Sequence, residues 1–306
     1  MNEPMSKFAG VMVPMVTPLD DNDQLNEEGL RIYTEWLIEQ GVQALYPCSG
    51  CGEFWKLTES ERKTVAEVVI QTAAGRVPVL PGSGGGSTRE AIYWTQHARD
   101  SGADGVVIWP PYFAGPAYSD DAVFDHFHTI TQAVDIPIVL YNSPGATGYS
   151  LSPELVARLA EIDNIAGLKD SSGDVHRIVR VLSMVDDGFL VYQGWDGLLL
   201  PSLALGALGS VNCTSCVCGR VVVDLIHDFT KGDLASARTK HMHLLSFVST
   251  PAWQTDELQG IKECLNLLGI PAGRIRRPWF TTPFTAEQKG QLAEALKALG
   301  LLGVRS

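Results

Sequence analysis

The chain has 306 residues, 45% hydrophobic and 19% charged, a globular composition that excludes extended disorder. A formal net charge of −12 argues against nucleic acid or an anionic membrane surface as partner, while a small anion held by local donors stays compatible with it. No stretch reaches the roughly 18 consecutive apolar residues of a membrane span, and MNEPMSKFAG lacks the apolar core of a signal peptide. Six scattered cysteines are too few for a disulfide scaffold, so a cytoplasmic protein with reduced thiols is expected.

In chain order, GVMVPMVTP (10–18) is the first predicted strand. A helix follows, with Leu30, Tyr33 and Leu37 on one face and Gly41 as its stop. Residues 42–48 form the second strand, and Thr58 and Glu61 give the next helix the spacing of a capping box. Residues 77–83 are the third strand, before a helix opening at Ser87 with Glu90 three positions on. Strands four and five fall at 105–111 and 136–142, separated by a helix over 120–134. A helix with Ser152 as cap and Pro153 at its first position leads to strands six (165–171), seven (189–195) and eight (209–214). Three helices close the chain, around 235–249, 257–268 and onward from Thr285, with Gln288 as capping partner.

Eight strand–helix repeats match a closed (β/α)8 TIM barrel over residues 1–230, followed by a three-helix extension over 231–306. Near-continuous apolar strands suit a parallel sheet covered on its outer face. An open doubly wound sheet is the alternative, but GSGGGST (82–88) has neither the P-loop lysine nor the spacing of a dinucleotide turn.

Barrel chemistry sits at the C-terminal strand ends. Those ends carry PCSGCGEF after strand two, PPYF after strand four, YNSPGATG after strand five, KDSSGD after strand six and NCTSC after strand eight. No histidine lies at any of them, which weighs against a histidine-bound metal and a Ser–His–Asp hydrolase. Desolvation disfavours an ammonium, so a lysine drawn into such a rim can offer the neutral amine that attacks a ketone. Lys169 is the candidate for imine formation, and Tyr141, one strand away, for proton transfer. Backbone amides around Ser49, Gly50 and Cys51 could bind a carboxylate, since glycine lets the backbone approach closely. Each residue has a bland reading: strand-end lysines are often solvated, tyrosines often pack, and small residues often only turn the chain. Trp109 and Trp195, near strand ends, are read first as core packing and second as shaping the pocket. Cys48/Cys51 and Cys213/Cys216 share C-x-x-C spacing, so a structural zinc and a redox dithiol at Cys48 and Cys51 are weighed and placed second.

The chain resembles the dihydrodipicolinate synthase and N-acetylneuraminate lyase family of Schiff-base lyases over nearly its whole length, through VTPLDDNDQLNEEGL, GEFWKLTESER, IPIVLYNSPGATG and NIAGLKDSSGD. The resemblance implies a (β/α)8 barrel, usually a homotetramer, and an imine to pyruvate or a larger 2-oxo acid without metal or organic cofactor. It makes Lys169 the imine lysine, Tyr141 the proton shuttle, Ser49–Gly50–Cys51 the carboxylate turn and Val211 the source of a carbonyl facing the site. Tyr112, Phe113 and Ala146 become pocket or interface positions; Phe54 and Trp55 are further interface aromatics. The departures concern substrate. Gly50 and Cys51 replace two hydroxyl residues, Phe113 stands where the synthase has a second tyrosine, and Ala146 where it has a carboxylate-binding arginine. One lost charge-assisted contact costs on the order of 1.5–3 kcal/mol in binding. The sequence reading therefore places first an aldolase acting on a 2-keto-3-deoxy sugar acid or 4-hydroxy-2-oxo acid. The alternatives are the synthase itself, a dehydratase of the same family, and an inactive binding or regulatory paralogue.

Overall fold

A computed structural model describes residues 7–113, 115–278 and 282–303. Its regular strands are β1 (Gly10–Pro14), β2 (Ala44–Tyr46), β3 (Val106–Ile108), β4 (Ile138–Asn142), β5 (Ile165–Asp170), β6 (Leu190–Gln193) and β7 (Gly209–Ser210). They form one sheet in the order β2-β1-β7-β6-β5-β4-β3. Residues 79–82 take the eighth place, joined in parallel to β2 by the bridge Leu45–Val79 and to β3 by Gly82–Val107, and so close the (β/α)8 barrel. The predicted third strand is present but thin because Pro78 and Pro81 accept hydrogen bonds from Leu45 and Val107 and have no N–H to return.

The helices are α1 (Glu27–Glu39), α2 (Glu59–Ala73), α3 (Thr88–Asp100), α4 (Asp120–Ala133), α5 (Pro144–Thr147), α6 (Pro153–Ala160), α7 (Val175–Leu182), α8 (Leu199–Ala204) and α9 (Ser215–Thr230). The C-terminal helices are α10 (Leu234–Val248), α11 (Pro251–Thr255), α12 (Glu257–Leu267) and α13 (Ala286–Ala298). The short α11, opened by Pro251, adds one helix to the three expected there. Thr58–Glu61 and Thr285–Gln288 both form reciprocal capping boxes. Among the described residues no helix is long and apolar enough to cross a membrane.

The chain divides into two compact units. The first, residues 7–12, 43–46 and 78–211, has a layered core. Met12, Tyr46, Leu80, Val107, Val139, Ala166, Tyr192 and Val211 fill the barrel interior. Ile108, Leu140, Leu168 and Val191 face the other way, onto Ala91, Phe127, Ile130 and Leu155 of the helices. Alternation along strands produces these two layers. The second unit, residues 13–42, 47–77 and 212–303, pairs α1 with α2 and α9 with α10. At its heart lies Glu53, buried and left-handed at φ 54°, whose carboxylate takes Lys262 Nζ at 2.9 Å, Lys56 Nζ at 3.2 Å and the Arg276 amide at 2.9 Å.

Candidate active site

Lys169 reaches the barrel interior through an irregularity in β5. Ile138 pairs with Ile165, but Val139 pairs with Gly167, so one extra residue of β5 is accommodated at Ala166. Strict alternation from the inward Ala166 would send Leu168 inward and Lys169 out to the helices. The shift reverses this: Leu168 lies in the outer layer and Lys169 is level with Tyr141 and Tyr192. Such bulges re-aim side chains. Gly167 permits the close strand approach, since a Cβ there would come within 2.3 Å of the Leu190 carbonyl oxygen.

The lysine is 6% exposed. Its Nζ lies 4.0 Å from the centroid of the Tyr141 ring and 5.5 Å from that of Tyr46. Among the described residues no carboxylate pairs with it. The other buried lysine differs. Burial pushes the Lys262 ammonium below its ordinary range while Glu53 opposes the shift, and its Nζ is committed to Glu53 and, at 2.7 Å, to the Arg274 carbonyl. Tyr192, the register partner of Lys169, gives its hydroxyl to the Phe8 carbonyl at 2.7 Å and serves the core.

At the C-terminal end of β5, Asp170 is a hub that residue patterns did not single out. Its carboxylate accepts from Arg177 Nε and Asn142 Nδ2, both at 2.8 Å, and from the Ser172 amide at 2.9 Å and the Ser172 hydroxyl. Asn142 in turn accepts from the Leu151 amide at 3.0 Å. The hub ties the end of β4 to the end of β5, one residue beyond Tyr141 and Lys169 respectively. Its only signal in sequence was polar residues, Asn142 and Asp170, ending two adjacent apolar strands.

The other candidates fall as follows. Val211 lines the barrel core. Tyr112 is half-buried. Phe113 is fully exposed with φ 76°, a conformation costly for a non-glycine residue. Ala146 is exposed on α5. Trp109 is buried as expected, but Trp195 corrects the core reading. It is 55% exposed, because its indole N–H reaches the Ser171 carbonyl at 2.9 Å and holds the ring over the surface. In the second unit, the turn leaving β2 is rigid. The Ser49 hydroxyl donates to the Met15 carbonyl at 3.0 Å and accepts from the Gly52 amide at 3.1 Å. Gly50 is half-buried there and Cys51 buried. Of the proposed interface aromatics in that unit, Trp55 is exposed and Phe54 half-buried.

The profile of the Dihydrodipicolinate synthetase family matches residues 7–299. The chain belongs to this family. It is 37% identical to the 4-hydroxy-tetrahydrodipicolinate synthase of Methanothrix thermoacetophila, over 94% of this chain and 96% of the relative. It is 36% identical to that of Pelobacter propionicus, over 96% of this chain and 100% of the relative. Among solved structures, YagE of E. coli K12, a prophage protein of the dihydrodipicolinic acid synthase family crystallised with pyruvate, superposes with a TM-score of 0.89 at 33% identity, covering 96% of this chain and 99% of that one. Membership makes the protein a class I aldolase-type lyase that uses pyruvate through a Schiff base. The names of these relatives favour synthesis over the aldol cleavage that the sequence placed first.

Proposed function

We propose that Lys169 forms an imine with C2 of pyruvate, and that the resulting enamine adds to an aldehyde in 4-hydroxy-tetrahydrodipicolinate synthesis, the activity for which the relatives are named. The observation that carries this reading is the buried lysine at the barrel rim, set between two tyrosine rings and without a carboxylate partner among the described residues. The amine attacks the carbonyl and water leaves. The protonated imine then withdraws electrons from C3, whose proton is lost to give the enamine. Tyr141 is assigned the proton transfers. The amides of Ser49, Gly50 and Cys51 are assigned the carboxylate, and the Val211 carbonyl is assigned to face the site. The catalytic barrel is assigned to residues 1–230 and the helical extension to 231–306. A cytoplasmic homotetramer belongs to the same reading, and the exposed, left-handed Phe113 supports contact with another copy.

A second reading is cleavage or dehydration of a 2-keto-3-deoxy acid, with pyruvate as the cleavage product. It is favoured by Phe113 and Ala146, which supply neither the hydroxyl nor the cation that the resemblance associates with the synthase. Incubation with pyruvate and borohydride, followed by intact-mass measurement, tests the shared step. Wild type should gain one reduced pyruvate and Lys169→Ala none; an unmodified wild type refutes both readings. Turnover of pyruvate with the synthase's aldehyde, against pyruvate release from 2-keto-3-deoxy acids, then decides between them. Sedimentation of the untagged chain tests the tetramer, which a monomer at micromolar concentration would refute.

A further inference from the structure

The cysteines do not associate as their C-x-x-C spacing suggests. Cys51 Sγ lies 3.5 Å from Cys213 Sγ, although 162 residues separate them in the chain. The other cysteine of each motif also bonds to backbone, and Cys216 touches Cys51 as well. Cys48 Sγ reaches the Arg62 carbonyl at 3.4 Å, and Cys216 Sγ the Pro14 carbonyl at 3.2 Å. Burial pushes the Cys48 thiol up to about 11 and raises that of Cys216, which leaves little thiolate at either. Cys264 is likewise raised by burial. Cys213 is half-buried, whereas Cys51 is buried. Among the described residues no group of three or more His, Cys, Asp or Glu side chains is placed to hold a metal ion.

We propose that Cys51 and Cys213 form an oxidative modification site, at which a hydroperoxide converts the thiol pair to a disulfide. The Cys213 thiolate attacks the peroxide oxygen, takes up one oxygen as a sulfenic acid and releases water. Cys51 then attacks that sulfur, its proton leaves with the hydroxyl as a second water, and the S–S bond forms. Two thiols and one hydrogen peroxide thus give one disulfide and two waters. The sulfurs must close by about 1.5 Å to reach bonding distance. Cys51 sits on the turn whose amides are assigned to the carboxylate above, and the Ser49 and Thr17 hydroxyls brace that turn, Thr17 at 2.8 Å from the Gly52 carbonyl. Drawing Cys51 toward Cys213 therefore alters the turn and weakens pyruvate capture. This consequence rests on the proposed function; the cross-link itself does not.

The test uses the full chain, treated with hydrogen peroxide, alkylated and digested. The expected product is a Cys51–Cys213 linked peptide, with intact mass lower by two hydrogens and restored by dithiothreitol. Cyanoborohydride trapping of subsaturating pyruvate, which leaves disulfides intact, should fall about tenfold on oxidation, the loss of one charge-assisted hydrogen bond, and recover on reduction. Cys213→Ser should trap pyruvate at the level of untreated wild type, both before and after peroxide. No link, a link from Cys51 to Cys48 or Cys216, or Cys213 sulfinic acid as the main product overturns the site. A correct link with unchanged trapping overturns its effect on pyruvate. Reduced protein that never traps pyruvate refutes the proposed function, while the peptide map still decides the site.

Discussion

Removing the guanidinium of Arg177 probes how the Lys169 strand is held. The Arg177 and Asp170 side chains are 10% and 2% exposed and meet at 2.8 Å, so the pair is desolvated. Arg177→Ala leaves the Asp170 carboxylate buried with only neutral donors, Asn142 and Ser172. Breaking a buried pair from one side typically costs 3–5 kcal/mol, and the donors that remain place this case near about 3 kcal/mol. Urea unfolding of wild type, Arg177→Ala, Asp170→Asn and the double variant measures it. The double variant should be less damaged than the sum of the singles, because the charge stranded by one change is removed by the other. Because the hub joins the ends of β4 and β5, the rate of borohydride-trapped imine formation should fall about tenfold in Arg177→Ala. A stability loss under about 1 kcal/mol with normal trapping would refute the clamp.

Gly167→Ala should destabilise by about 1–3 kcal/mol and lower imine yield, since its Cβ meets backbone at 2.3 Å; wild-type yield in that variant would detach the bulge from the aim of Lys169. Tyr141→Phe should slow turnover by about 10²-fold or more while borohydride still traps an imine, and unchanged turnover would remove its proton role. Burial pushes His126 down to about 4. The unfolded imidazole titrates near 6.5, so the unfolded chain binds more protons between those values. Its contribution, at most about 3 kcal/mol, is present above pH 6.5 and lost as pH falls toward 4; His126→Gln should flatten the stability–pH curve there. The Arg276 fork, at 2.6 and 2.7 Å, lowers Glu61 to about 2. That contribution is present above about pH 4.5 and lost as pH falls toward 2. Arg276→Met should remove it, as acid unfolding followed by circular dichroism would register.

Short-range chemistry was legible in the chain alone. Thr58 with Glu61 and Thr285 with Gln288 announce helix starts because a cap needs only a side chain and an amide three residues on. The apolar runs announced the barrel because each strand end must bury what it carries, and Tyr141 beside Lys169 followed from strand order. Tertiary structure decided the rest. Which face Lys169 takes depends on one extra residue at Ala166, which local pattern conceals because both faces of β5 are apolar. Asp170 became a hub only when Asn142, 28 residues earlier, was brought beside it. Cys51 met Cys213 and not Cys48, because side chains three apart in an irregular turn need not share a direction, while packing joins residues far apart in the chain.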